Sequence, residues 1–221
     1  MLVCISARHA CAQDSRTSDS AFAPIDKYLM DQNTEIDMAR SAAPASISSN
    51  AEILVLGRKG YDTAVKGTNG FVCYVERSWT ADIDDPGFGS PKLRYPICFN
   101  PAAARSYLPI TLKKTELALG RPSKSQMFAA LRVMFDNREL PSPEAGSMCY
   151  MMSKQAIFDV SGDHGGPHLM FFYPPTSGMA FGAGLKGSPV LVHQDVEDRL
   201  TVFVVPVSKF SDGSDAPKDE H

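Results

Sequence analysis

Apolar positions along the chain divide it into a helical opening, a strand-rich middle, a second helical block and a strand-rich close. Residues 25 to 42 have helix-forming composition, with Tyr28, Leu29, Ile36 and Ala39 as a buried stripe and Pro44 as the stop. After Asn50 the pattern changes to short apolar runs. Residues 53 to 56 and 71 to 75 read as strands and residues 61 to 66 as a third, with turns at Arg58-Lys59-Gly60 and Gly67-Thr68-Asn69-Gly70 making a meander. Residues 80 to 95 read as a loop. Asn100 before Pro101 predicts an N-cap and a helix running toward Leu108, where Pro109 interrupts it; a further helical stretch from Leu112 ends at Gly120. Ser123-Lys124-Ser125-Gln126 then has the form of a capping box, and Met127, Leu131, Met134 and Phe135 recur at the spacing of one apolar helix face. Runs at 148 to 152, 169 to 173, 190 to 192 and 201 to 207 read as four more strands. Several are apolar at successive positions, which predicts a sheet covered on both faces.

These elements predict a single α+β domain over residues 23–210, with a largely antiparallel sheet of about five to seven strands and helices packed on it. Residues 1–22 are expected to be a leader, read as a truncated signal peptide followed by a disordered linker, and residues 211–221 a disordered tail, because 13 to 22 and 211 to 221 are rich in Ser, Asp and other polar residues. At 221 residues, 43% hydrophobic and 21% charged, the chain can bury one substantial core. A net charge of −3, with no Lys/Arg cluster larger than a pair, argues against a nucleic-acid partner. No apolar stretch approaches the roughly 20 residues needed to cross a bilayer, so no membrane span is expected. Residues 1 to 6 form a short apolar run, and Ala10-Cys11-Ala12 before Gln13 has the form of a signal-peptidase site, which predicts a periplasmic or secreted protein. The run is short and lacks a preceding basic residue, which keeps a cytoplasmic location as the alternative. Removal of residues 1 to 12 leaves Cys73, Cys98 and Cys149, so at most one disulfide forms; apolar neighbours predict core packing for Cys73 and Cys149.

Candidate chemistry concentrates at residues 162 to 168, where Gly162, Gly165, Gly166 and Pro167 predict a turn opening onto the apolar run that starts at His168. Asp163, His164 and His168 are the catalytic candidates, and His164, His168 and His193 the metal-ligand candidates. Glycines and proline forbid the helix on which an H-x-x-x-H pair would share a face, so a common ligand geometry requires loop curvature. The preferred expectation is a solvated turn histidine and a hydrogen-bonded strand-end histidine. Cys149 with His164 or His168 would suit a thiolate nucleophile, and Met148, Cys149, Met151, Met152 and Met170 with the histidines would suit Cu(I), but strands of a core account for these residues more simply. Residues 182 to 187 match G-x-G-x-x-G but precede a strand and not a helix, so no nucleotide cofactor is expected. Asp82, Asp84 and Asp85 lack the ligand spacing of a calcium loop. The common hydrolase signatures, G-x-S-x-G, S-x-x-K and H-E-x-x-H, are not in the sequence.

The phrases at residues 67 to 73 (GTNGFVC), 75 to 79 (VERSW), 98 to 101 (CFNP), 152 to 155 (MSKQ) and 167 to 172 (PHLMFF) resemble those of a family of uncharacterised bacterial proteins, often with exported-type leaders. The resemblance covers most of residues 25 to 210 and implies no particular activity. Family members carry Trp-His-Pro-His before the Leu-Met-Phe-Phe run; the departure here leaves His168 a better candidate than His164. The resulting expectation is an exported bacterial domain that binds a small molecule or a protein partner without catalysis or cofactor, with loops 162 to 166 and 178 to 187 bordering one pocket and a homo-oligomer left open. The alternative is a hydrolytic or metal-dependent enzyme using His168 with Asp163, His164 or His193.

Overall fold

Residues 21–162 and 165–217 are described by a computed structural model of the chain. Strand β1 (Glu52–Gly57) turns at Gly60 into β2 (Gly60–Val65), followed by β3 (Val72–Glu76) and β4 (Tyr95–Phe99). The later strands are β5 (Met148–Met151), β6 (His168–Tyr173), β7 (Leu191–Asp195) and β8 (Leu200–Pro206). They form one eight-stranded sheet in the order β2-β1-β3-β4-β5-β6-β8-β7. The α+β class holds, with more strands than the sequence suggested. Every pairing is antiparallel except β1 with β3, which run parallel through Glu52↔Val72 and Ile53↔Cys73. That pairing replaces the expected meander: β2 lies on the edge and β3 returns to the other side of β1.

Strand β4 was hidden in the sequence because Pro96 stands within it, and a proline reads as a break in a central strand. All five of its residues are nevertheless buried. The opening helix is also shorter than its composition suggests. Asp31 accepts a hydrogen bond from the Thr34 amide and starts α1 (Gln32–Arg40), leaving Tyr28 in a separate turn after a 3-10 segment at Ile25–Lys27. Ala39 is buried as expected, but Leu29 and Ile36 are half-buried while Glu35 is buried in their place. A short helix, α2 (Ala45–Ser48), follows Pro44. Asn100 caps α3 (Pro101–Ser106) through the Ala103 amide. Pro109 does not end a helix there; it sits in the first turn of α4 (Leu108–Leu119), where its missing N–H removes no helical hydrogen bond. The capping box at Ser123 and Gln126 opens α5 (Lys124–Asp136), which buries Met127, Phe128 and Leu131. Phe128 takes the place expected for Met134.

Helices cover the sheet unevenly. On one face, Met38 and Ala39 of α1 pack on Ile53, Cys73, Val75 and Cys98. On the other, Tyr107, Leu108 and Ile110 at the α3–α4 junction pack on Tyr74, Ile97 and Phe99. Both helical layers lie over the β1–β3–β4 half. In β6 only Phe172 is buried, so its unbroken apolar run is not enclosed on two sides as its sequence suggests. Cys73 and Cys98, directly opposite on β3 and β4, form a disulfide, which corrects the reading of Cys73 as a simple core residue. Cys149 is free and buried. At the chain ends, Phe22 joins the core, and Lys209 pairs with Asp215 around a turn where the tail was expected to begin. Among the described residues, no helix is long and apolar enough to cross a membrane.

Candidate functional site

Where the helical cover stops, the sheet face that carries Tyr74 becomes the floor of a cleft of about 310 Å³. Alternation along each strand sends every second side chain to this face. Ile97 of β4, Met151 of β5, Met170 and Phe172 of β6, and Val202 and Val204 of β8 therefore form a continuous apolar floor. Tyr107 and Phe172, stacked at 4.2 Å between ring centroids, close the end beneath the helices. Phe158 closes another side and stacks on Tyr95 at 5.5 Å. Gly165 keeps that side in shape: its φ of +58° is left-handed, and a Cβ there would come within 2.7 Å of the Phe158 ring.

Polar groups enter the cleft from the β3 and β7 ends. Glu76, the last residue of β3, accepts a 2.6 Å hydrogen bond from the Tyr74 hydroxyl on Oε1. Its Oε2 lies 3.2 Å from the Thr80 hydroxyl, which is closer, at 3.0 Å, to the Arg77 carbonyl. A hydroxyl has one proton, so Thr80 cannot serve both acceptors. A proton on Glu76 resolves the conflict: Oε2–H donates to Thr80, and Thr80 donates to Arg77. Burial acts in the same direction and pushes the Glu76 carboxyl up to about 7, against the opposing pull of the Tyr74 hydrogen bond and of Lys114. Behind Glu76, Lys114 of α4 and Asp198 form a buried 2.7 Å ion pair, and burial raises the Asp198 carboxyl as well.

At the rim, His193 Nε2 stands 3.1 Å from Asp82 Oδ2 and ties the loop after β3 to edge strand β7. Asp85 and Asp195 line the same opening, and no lysine or arginine among the described residues does. The loop is held from beneath by Trp79, whose indole N–H donates to Thr115 of α4 at 2.9 Å. Neither family models, curated proteins nor solved structures give a match to this chain.

The structure brings two of the sequence candidates, His168 and His193, to one cleft. Asp163 and His164 lie outside the described residues. Nδ1 of His168 is 2.9 Å from the Gly166 carbonyl, and burial lowers its basicity, which favours the neutral ring. Among the described residues, no three His, Cys, Asp or Glu side chains gather where they could hold a metal ion. Burial pushes the Cys149 thiol well above its ordinary range, which removes the thiolate needed for a Cys–His nucleophile. The two glycine-rich loops do not border one pocket within the described residues. Phe181 of the second loop packs on Tyr173 and Phe203, which face the opposite side of the sheet from Phe172 and Val202. Gly162, Gly165 and Gly166 instead border a wider groove of about 750 Å³ in which His168 is the sole ionisable group among the described lining residues. Glu76 and Tyr95 went unnoticed in the sequence. The available signal was Glu76 standing two residues after Tyr74, which places a carboxyl on the apolar face of a strand.

Proposed function

We propose that the cleft binds a small organic molecule and that the protein is a non-catalytic binding domain of an exported bacterial protein. The observation that carries the reading is an apolar sheet face left open beside the buried carboxyl of Glu76. A concave, mostly apolar site with a few convergent polar groups is what small ligands require, and 310 Å³ lies at the lower end of that range. Export is supported by the Cys73–Cys98 disulfide, a bond that persists in oxidising compartments. The enzymatic alternative finds less support at His168, whose ring hydrogen bond goes to a backbone carbonyl and not to an orienting carboxylate.

Amide spectra of the isotopically labelled protein, titrated with a panel of neutral, cationic and anionic aryl fragments, test the binding reading. Shifts should gather at Glu76, Tyr95, His168 and Val204 and vanish in Met170→Trp, which fills the floor. Absence of binding throughout the panel, or shifts unaffected by Met170→Trp, overturns it.

A further inference from the structure

The ligand's charge can be argued from the groups that face it. This step rests on the cleft being a small-molecule site and adds the class of molecule. Glu76, Asp82, Asp85 and Asp195 line the cleft, no Lys or Arg stands among its described lining residues, and the buried Lys114 behind Glu76 is paired with Asp198. An anionic ligand would meet carboxylates in a site of reduced dielectric, where like charges repel strongly. Glu76 is more than nine-tenths buried, and its Oε2 has only a share of one donor, the Thr80 hydroxyl, which lies closer to the Arg77 carbonyl. A buried carboxylate oxygen short of a donor is matched by a ligand N–H, and most strongly by a charged one. We propose that the cleft takes an organic amine, bound as its ammonium ion against Glu76 with an apolar body lying on the floor of β4, β5, β6 and β8.

The exchange balances simply. An ammonium ligand approaches neutral Glu76, the Oε2 proton leaves to solvent, and the carboxylate accepts an N–H in its place, so one proton is released for each amine bound. Around Glu76, Tyr61 of β2, Tyr74 of β3, Tyr95 of β4 and Tyr107 are all pushed upward by burial and stay neutral near pH 7. So does the Cys149 thiol of β5, while Lys114 of α4 stays charged beside Asp198, whose own carboxyl is raised by burial to about 6. With Glu76 at about 7, ionisation of the site multiplies amine affinity by about tenfold between pH 6 and pH 8.

The test uses 2-phenylethylamine, with 2-phenylethanol and 3-phenylpropionate as neutral and anionic probes of similar shape, followed by calorimetry in buffers of different ionisation enthalpy. The amine should bind at least about tenfold tighter than either comparator, release close to one proton at pH 6, and gain about tenfold in affinity by pH 8. Glu76→Gln, which keeps the neutral hydrogen bonds, should lose both the proton release and the pH slope. Equal binding of the alcohol and the amine without proton release overturns the amine assignment and leaves a binding cleft standing. Tighter binding of the carboxylate also overturns it, and failure of all three probes counts against the cleft as a binding site altogether.

Discussion

Replacing Glu76 by Gln should stabilise the protein increasingly as pH rises. The folded state holds the Glu76 proton up to about pH 7, whereas the unfolded chain releases it near 4.5. Between those values the folded protein binds more protons, so the stability contributed by this group falls as pH rises through the window and is lowest above it. The gap between the two values corresponds to about 3 kcal/mol in total, most of it expressed between pH 5 and pH 8. Because the residue is 7% exposed, solvent screening removes little of this. Gln reproduces the protonated arrangement: its carbonyl accepts from Tyr74 and its amide donates to Thr80. Urea denaturation of both proteins at the two pH values gives the measurement. The variant's advantage over wild type should grow by roughly 2 to 3 kcal/mol on going from pH 5 to pH 8. An advantage that stays constant with pH would refute the protonated assignment of Glu76, whatever its absolute size.

Three further outcomes follow from particular contacts. Ser123→Ala removes the acceptor for the Gln126 amide and should lower stability by about 1 kcal/mol, read from the denaturation midpoint; an unchanged midpoint would count against the capping box. The Cys73→Ser/Cys98→Ser double variant opens a 25-residue separation and should cost about 3 kcal/mol, with reductant then having no further effect on the variant. His168→Ala removes one ring hydrogen bond, to the Gly166 carbonyl, and should cost about 1 kcal/mol while leaving the far-ultraviolet spectrum unchanged; a collapse of the fold would show that the strand end is far more dependent on the ring than this contact implies.

Local signals carried much of this fold. The capping box at Ser123, the Asn100–Pro101 helix start and the turn at Gly60 each depend on residues within a few positions of one another, and each stands where its sequence placed it. Strand β4 did not, because Pro96 obeys the local rule against central strands while burial of Tyr95, Ile97, Cys98 and Phe99 outweighs it. The parallel return of β3 to β1 was equally hidden, since pairing direction depends on partners distant in the chain. The cleft suffered the same limit. His193 and Asp82 meet across 111 residues, and Glu76 becomes unusual only once α4 brings Thr111 and Lys114 over Tyr74 and Asp198. Asp82 was visible as part of an acidic loop, but its histidine partner was not.

The two buried glutamates near the end of β3 separate structure from function by their partners. Glu35 meets Arg77 at 2.8 Å and accepts the Leu56 amide at 3.2 Å, and Arg77 in turn donates to the Tyr28 carbonyl at 3.0 Å. That carboxylate is neutralised and hydrogen-bonded, a closed arrangement that locks α1 to β1 and β3. Glu76 sits on the other face with no arginine, a shared hydroxyl and a cavity beside it. A glutamine would meet the same hydrogen bonds without the electrostatic cost, so the fold alone gives no reason for an acid at this position. An acid that lowers stability as pH rises yet lines a cleft is what the proposed amine ligand would require. On that argument Glu35 belongs to the scaffold, and Glu76 to whatever the cleft receives.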